Sequence, residues 1–290
     1  MVILSINGRL GNQMFGFALY QCMKNMGKDI YIDLACNRAN GEQGLWSDIK
    51  YNAGIFDLDY RIADPDIVRE MFADGCDRNI WKRWEYRIAP SRRKFYEEKE
   101  QGTFDKGIFR LDNVYLHGYW QTEKYFVKVA DEVRQMYRFP DLYTDYQKKM
   151  LDEIAATLAV SVHVRRGDYL TRPDIYGTTN MEYYSQAMEY VRQKKENVHF
   201  YIFTDDIPWV KKNMKGSDIT IVENAGGDLL TNNLDMALMA ECKDNIIANS
   251  SFSWWAAWLN KNPHKTVIAP KTWEINKATK DIWCKDWIRM

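Results

Sequence analysis

The stretch VSVHVRRGDYL, Val160 to Leu170, joins an apolar run to a histidine, two adjacent arginines and an aspartate. Side chains alternate along a strand, so Val160, Val162 and Val164 point one way and Ser161, His163 and Arg165 the other. Arg166, Gly167 and Asp168 then fall where strand gives way to loop. The rigid fork of an arginine can give two charge-assisted hydrogen bonds to a phosphate group. A cation held in place stabilises a diphosphate that gains charge as it leaves. Arg165 is therefore expected on a diphosphate, with His163 beside it and Arg166 and Asp168 at the lip of the site. The same residues would also serve as an Arg–Asp ion pair closing a turn above a core histidine.

Three other stretches carry polar groups at the ends of predicted strands. In NGRLGNQ, Gly8 and Gly11 allow close backbone approach, and Asn12 and Gln13 offer amides near a helix N-terminus, which favours anions. This is neither a dinucleotide GxGxxG nor a Walker loop, and a tight strand-to-helix turn would use the same residues. In NSSFSWWAAWL, one of Asn249, Ser250 and Ser251 is expected to cap a helix whose N–H groups suit phosphate oxygens. Trp254, Trp255 and Trp258 behind them read as core. Asp235, in NNLDMALMAECKD, is either a solvated helix residue or a purine contact, since a carboxylate can accept from the N–H edge of guanine.

These residues need elements to position them. VILSI, a glycine loop, a helical row of Phe15, Ala18, Leu19, Cys22 and Met26, and DIYID follow one another as strand, loop, helix and strand, the opening of a Rossmann-like unit. In the second half AVSVHV, VHFYIF, ITIVE, NIIA and TVIA alternate with helical segments, one expected over Asn233 to Cys242 and one from near Ser251. Short apolar runs separated by helices predict a parallel sheet covered on both faces. Residues 37 to 138 are less regular and strongly aromatic, and RFPDLYTDYQKK marks a boundary near 140 to 153. The expected organisation is α/β, with Rossmann-like domains over 1–150 and 151–290 facing across a cleft.

Composition narrows the function classes. Forty Lys plus Arg balance forty Asp plus Glu, which argues against a protein that coats nucleic acid. Five scattered cysteines with no CxxC pair suggest neither a disulfide framework nor a zinc site. The apolar start is too short for a signal peptide and no run would span a bilayer. A cytoplasmic protein is expected, at most peripheral to the inner face of a membrane. FDLDY, with Asp57 and Asp59, has the letters of a DxD metal motif but no apolar strand before it, so no metal ligand is assigned.

Together GRLGNQMF, HVRRGDY, FTDD and NSSFSWW resemble, in order, the bacterial α-1,2-fucosyltransferases of glycosyltransferase family 11, over about residues 6 to 260. The resemblance implies a GT-B fold with acceptor binding mainly in the N-terminal half and GDP-fucose in the C-terminal half. It implies that Arg165 contacts the β-phosphate, with His163 a neighbour of nucleotide or phosphate. Arg166 and Asp168 would shape the loop. Asp235 would meet guanine, and Ser250, Ser251 and Phe252 the phosphates, next to Asn249. Gly11 and Asn12 would approach the donor from the other domain. The reaction implied is one inverting displacement at the anomeric carbon of GDP-β-L-fucose by a hydroxyl of a galactoside-type, oligosaccharide or lipid-linked acceptor, with no metal or other cofactor. Asp168 is the nearest side chain for the proton. Some relatives carry a glutamate further along, where Thr171, Arg172 and Pro173 stand here with Asp174 beyond, so the base stays open. His117, Tyr119 and Trp120 form an aromatic cluster suited to an acceptor. The competing readings are a different nucleotide sugar on the same fold, or a non-catalytic nucleotide- or glycan-binding module.

Overall fold

Runs of valine, isoleucine and leucine bounded by polar loops favour strands covered on both faces. In the structure, a computed structural model, all the paired strands among the described residues are parallel. The structure describes residues 1–34, 55–76, 94–177, 179–223 and 229–290. The chain divides into two units, one of Met1–Arg138 with Lys280–Ile282 and one of Phe139–Thr279 with Trp283–Met290.

The first unit contains β1 (Val2–Ser5), α1 (Leu10–Asn25), β2 (Ile30–Asp33), α2 (Pro65–Cys76), β3 (Phe95–Glu97), β4 (Val114–His117) and α3 (Ala130–Met136). Its sheet runs β2-β1-β4-β3. Ile3, Ala63, Met71, Phe95 and Tyr115 form one core cluster, with the Phe95 and Tyr115 rings stacked at 5.7 Å. In α1 the row Phe15, Ala18, Leu19 and Cys22 is buried. Met26, expected in that row, lies past the helix end and is exposed, because Gly27 at φ +76° turns the chain away. The described residues between 55 and 138 are more regular than their sequence suggests. Strands of three and four residues, flanked by charge and aromatics, are too short to show a period. IWKRWEY, including Trp81, lies outside the described residues.

The second unit contains α4 (Asp145–Ala156), β5 (Leu158–Val164), α5 (Pro173–Tyr176), α6 (Met181–Lys194), β6 (Val198–Thr204), α7 (Ile207–Asn213), β7 (Ile219–Ile221), α8 (Leu229–Glu241), β8 (Asp244–Ile246), α9 (Ser251–Leu259), β9 (Val267–Ala269) and β10 (Ile288–Arg289). Its sheet runs β10-β9-β8-β5-β6-β7. Read from β7, this is the 3-2-1-4-5-6 order of a Rossmann sheet, whose direction of winding reverses between β5 and β8. Ligands in such sheets bind beyond the carboxyl ends of the strands at that reversal. Val160, Val162 and Val164 join Tyr183, Tyr184, Met188 and Phe200 in one core cluster. Each half is thus a Rossmann-like α/β unit, the building block of a GT-B chain.

The division falls at Arg138–Phe139, before the position 150 expected from sequence. Thr144 opens α4 with a capping box to Gln147, and Met150 and Ile154 are buried, so a break at 150 would cut a helix that belongs wholly to the second unit. The chain also returns once to the first unit. There Asp281 donates its N–H to the Gly102 carbonyl at 2.8 Å and accepts from the Phe104 N–H at 2.8 Å. Among the described residues no helix is long and apolar enough to cross a membrane.

Candidate active site

At the carboxyl end of β5 the chain presents Arg165 and Arg166, and both are held. Arg165 lies 2.6 Å from Asp168 and 2.9 Å from Asp205, with its guanidinium carbon 5.6 Å from the centre of the Tyr169 ring. Arg166 donates its backbone N–H to Asp205 at 2.8 Å and its Nε–H to Asp206 at 3.0 Å. Its guanidinium lies over Trp209 at 4.1 Å. The carboxylates come from two places: Asp168 follows in the same loop, whereas Asp205 and Asp206 come just after the neighbouring strand β6. Gly167 permits this closeness, since a Cβ there would come within 2.8 Å of an Asp205 oxygen.

Two arginines against three carboxylates leave a formal charge of −1 in this group. An anion would therefore be recognised by directed N–H groups rather than drawn by excess positive charge. Arg165 has five N–H donors in a fixed fork, and two carboxylates set its orientation. In this geometry Asp168 braces Arg165.

His163 lies on the face of β5 opposite the valines, as alternation requires. It is buried, with its ring 5.8 Å from Phe252. Burial, reinforced by the Arg165 charge, pushes its pKa down to about 3. The ring is thus neutral near pH 7, and its Nδ1 is buried with no partner in the protein. His163 accordingly sits beneath the site as an uncharged neighbour.

Across the reversal point, β8 leads into Asn249 and Ser250. Ser250 occupies the N-cap position of α9, but its side chain makes no capping hydrogen bond. The hydroxyl instead interacts with the Tyr169 hydroxyl, which donates to the Asn249 carbonyl at 2.9 Å. The expected cap is therefore in position with its hydroxyl turned to other use. Ser251 and Phe252 begin the helix, both half-buried. Asn249 donates to the carbonyls of Tyr176 at 3.3 Å and Trp273 at 2.9 Å. Its remaining side-chain oxygen is buried without a partner and can only accept. That oxygen suits a hydroxyl and would repel a phosphate. Trp254, Trp255 and Trp258 are buried and pack on one another, forming core.

Asp235 is half-buried on α8, where Leu234, Leu238 and Met239 are core. The helix begins at Leu229 rather than Asn233 and ends at Glu241. The charge of Asp235 contributes to raising the pKa of Tyr146, after burial itself.

The first unit repeats the pattern on a smaller scale, with the sheet reversing between β1 and β4. The Ser5 hydroxyl lies 3.2 Å from His117 Nδ1, and Asn7 donates to Ser5 at 2.9 Å and to the Gly118 carbonyl at 3.2 Å. The His117 ring stacks on Phe95 at 6.0 Å, and burial lowers its pKa. Gly8 holds φ +71°, and a side chain there would collide with Asn12. Asn12 in turn accepts from Gln121 at 2.7 Å. Gly11 lies in the first turn of α1, whose N-cap position, Arg9, supplies no side-chain cap. Tyr119 is partly exposed, whereas Trp120 is buried and adopts φ +57°. Asp57 and Asp59 lie on an exposed turn, where Asp59 pairs with Lys24 at 2.6 Å.

The sequence model described as "Glycosyl transferase family 11" matches residues 74–290. This chain belongs to glycosyl transferase family 11. Among curated relatives of this family 11 chain, an Escherichia coli alpha-1,2-colitosyltransferase is 30% identical, over 100% of this chain and 99% of the relative. A Bos taurus galactoside 2-alpha-L-fucosyltransferase is 23% identical over 88% of this chain and 63% of the relative. Among solved structures, a mutant of Arabidopsis thaliana FUT1 in complex with GDP is similar at a TM-score of 0.49 and 11% identity, over 92% of this chain and 70% of that one.

Sequence reasoning on this glycosyltransferase missed three residues of the arginine cluster. Asp205 and Asp206 stand in the quoted FTDD, and Tyr169 in the quoted RRGDY. Their signal was position, each lying just past a strand that pairs with or leads into the arginine loop.

Proposed function

We propose that this chain transfers L-fucose from GDP-β-L-fucose to a hydroxyl of a galactoside-type acceptor, giving an α-1,2 linkage with inversion. The observation that carries the reading is Arg165, braced by Asp168 and Asp205 at the reversal point of a Rossmann sheet. The acceptor oxygen attacks the anomeric carbon, and the bond to the β-phosphate oxygen breaks with its electron pair leaving on GDP. The acceptor proton passes to a base or to water. Arg165, with Arg166 near it, offsets the charge that develops on the diphosphate, and no metal is required. The N–H groups at Ser251 and Phe252, beginning α9, add a partial positive charge. Ser250, its hydroxyl engaged by Tyr169, lines the same donor end. Asn249 accepts from a hydroxyl of the donor, and Asp235 reads guanine. Gly11 and Asn12, at the start of α1, are further donor contacts. His117, Tyr119 and Trp120 serve an oligosaccharide or lipid-linked acceptor. The reaction is assigned to the cytoplasm, at the inner face of the membrane.

A second reading draws on the colitosyltransferase relative. Colitose is fucose lacking one ring hydroxyl, and contacts to GDP do not distinguish the two. GDP release should therefore be followed with GDP-fucose, GDP-colitose and GDP-mannose in the presence of lactose and excess EDTA. Release and disaccharide fucosylation from GDP-fucose are expected to persist under chelation. Preference for GDP-colitose would replace the donor, preference for GDP-mannose would sink both readings, and loss of activity in EDTA would overturn metal independence. Nucleotide binding without transfer would mark a non-catalytic module.

A further inference from the structure

Beyond the carboxyl ends of β3 and β4, the first unit holds a half-open cavity of about 210 Å³, lined in part by Tyr96, Glu98, Lys99, Asp105, Trp120 and Tyr125. It is smaller than the ~300–1,000 Å³ pockets that enclose drug-sized ligands, and suits one sugar ring. The aromatic walls are fixed. Tyr96 and Trp120 stack at 6.4 Å and 26°, and Tyr125 meets Trp120 edge-on at 5.7 Å. Tyr96 donates to Asp105 at 2.5 Å, and Asp105 also accepts from the Gly107 N–H at 2.7 Å. These bonds, the Tyr96 hydroxyl foremost, keep the Asp105 carboxyl ionised below its usual range.

Trp120 is the unusual member. It is 1% exposed, yet its indole N–H has no partner in the protein. Its backbone holds φ +57°, a conformation uncommon for a bulky side chain. The backbone N–H groups of Tyr119 and Trp120 hold it there by donating to Glu98 at 2.7 and 3.2 Å. A strained residue persists where its surroundings over-determine it, and such residues cluster at ligand sites.

The geometry points to a binding subsite for one neutral pyranose residue of the acceptor glycan, with Trp120 donating its indole N–H to a sugar hydroxyl. This deepens the glycosyltransferase reading and rests on it. An anion would meet the carboxylates of Glu98, Asp105 and Glu100, which also lines the cavity, against Lys99 alone, and a cation has nothing to offer an N–H donor. A sugar hydroxyl can accept from the indole while donating to a carboxylate, and the apolar face of the ring can lie on the aromatic walls.

The test is saturation-transfer NMR on the full chain without nucleotide sugar. The probes are methyl glycosides of galactose, glucose, N-acetylglucosamine and N-acetylgalactosamine, with inorganic phosphate and tetramethylammonium as controls. At least one glycoside is expected to bind. Trp120→Phe, which keeps a ring and removes the N–H, should weaken it about tenfold. Thr103 also lines the cavity, and Thr103→Phe, which fills it while leaving the Trp120 side chain in the protein, should abolish binding. Absence of glycoside binding, wild-type binding by both variants, or Trp120-dependent binding of a control ion would overturn the subsite. GDP release from GDP-fucose, measured on the same chain, separates the two readings. Trp120-dependent glycoside binding without release refutes the donor and leaves the subsite, and release without such binding does the reverse.

Discussion

Tyr169 donates its hydroxyl to the Asn249 carbonyl at 2.9 Å, tying the loop after β5 to the loop after β8 across the reversal point of the second sheet. The Tyr169 ring also stacks on Tyr176 at 4.4 Å, and Asn249 donates to the Tyr176 carbonyl. The arginine loop and the serine loop are thus one connected structure. Tyr169→Phe leaves the Asn249 carbonyl without this donor and should cost about 1–3 kcal/mol. Urea unfolding would register the loss, and the donor KM should rise several-fold. If neither moves, the tie is idle.

Arg165→Ala should lower kcat by roughly 10²–10³, the range for removing one preorganised electrostatic contact. Arg165→Lys should recover little, because an ammonium cannot span Asp168 and Asp205 and also give a fork to phosphate. Steady-state GDP release, with circular dichroism to confirm folding, would settle this. Wild-type turnover in a folded Ala variant is incompatible with a phosphate role.

Asp168 separates bracing from proton transfer. Asn at this position can still accept from Arg165 but cannot take a proton as a carboxylate does. Asp168→Asn should keep kcat within about tenfold of wild type with the same pH profile, whereas Asp168→Ala should lose more. Loss of the acidic limb of the profile in the Asn variant would instead mark Asp168 as the base.

His163 sets an acid sensitivity. Its pKa falls from 6.5 to about 3 on folding, so the unfolded chain binds the extra proton between those values. Stability should then be intact above pH 6.5 and fall as pH drops, by up to ~1.4 kcal/mol per pH unit. Urea midpoints between pH 7 and pH 5, above the range where ordinary carboxylates protonate, should slope for wild type and slope less in His163→Gln, where His117, whose pKa burial also lowers, accounts for what remains. Equal slopes would show that another group is responsible.

Strands β5 to β9 of the second unit were legible because each is a short apolar run between helical segments, whereas β10, two residues long, was not. The alternation of His163 and Arg165 against the valines followed from strand geometry alone. Short strands such as β3 and β4 were not legible, since three or four residues beside aromatic and charged neighbours show no period. The neutrality of His163 was hidden too, because it depends on burial, and its neighbours in space, Phe252 among them, are distant along the chain.

The sequence by itself determined which groups could meet a diphosphate and on which strand ends they lie, because alternation and turn chemistry are local. Tertiary structure alone decided that Asp205 and Asp206 hold the two arginines, that Tyr169 joins two loops, and that Trp120 keeps a buried N–H without a partner. The physical reason is that parallel strands bring their carboxyl ends together only through long crossovers, so residues adjacent at the site lie forty to eighty positions apart in the chain.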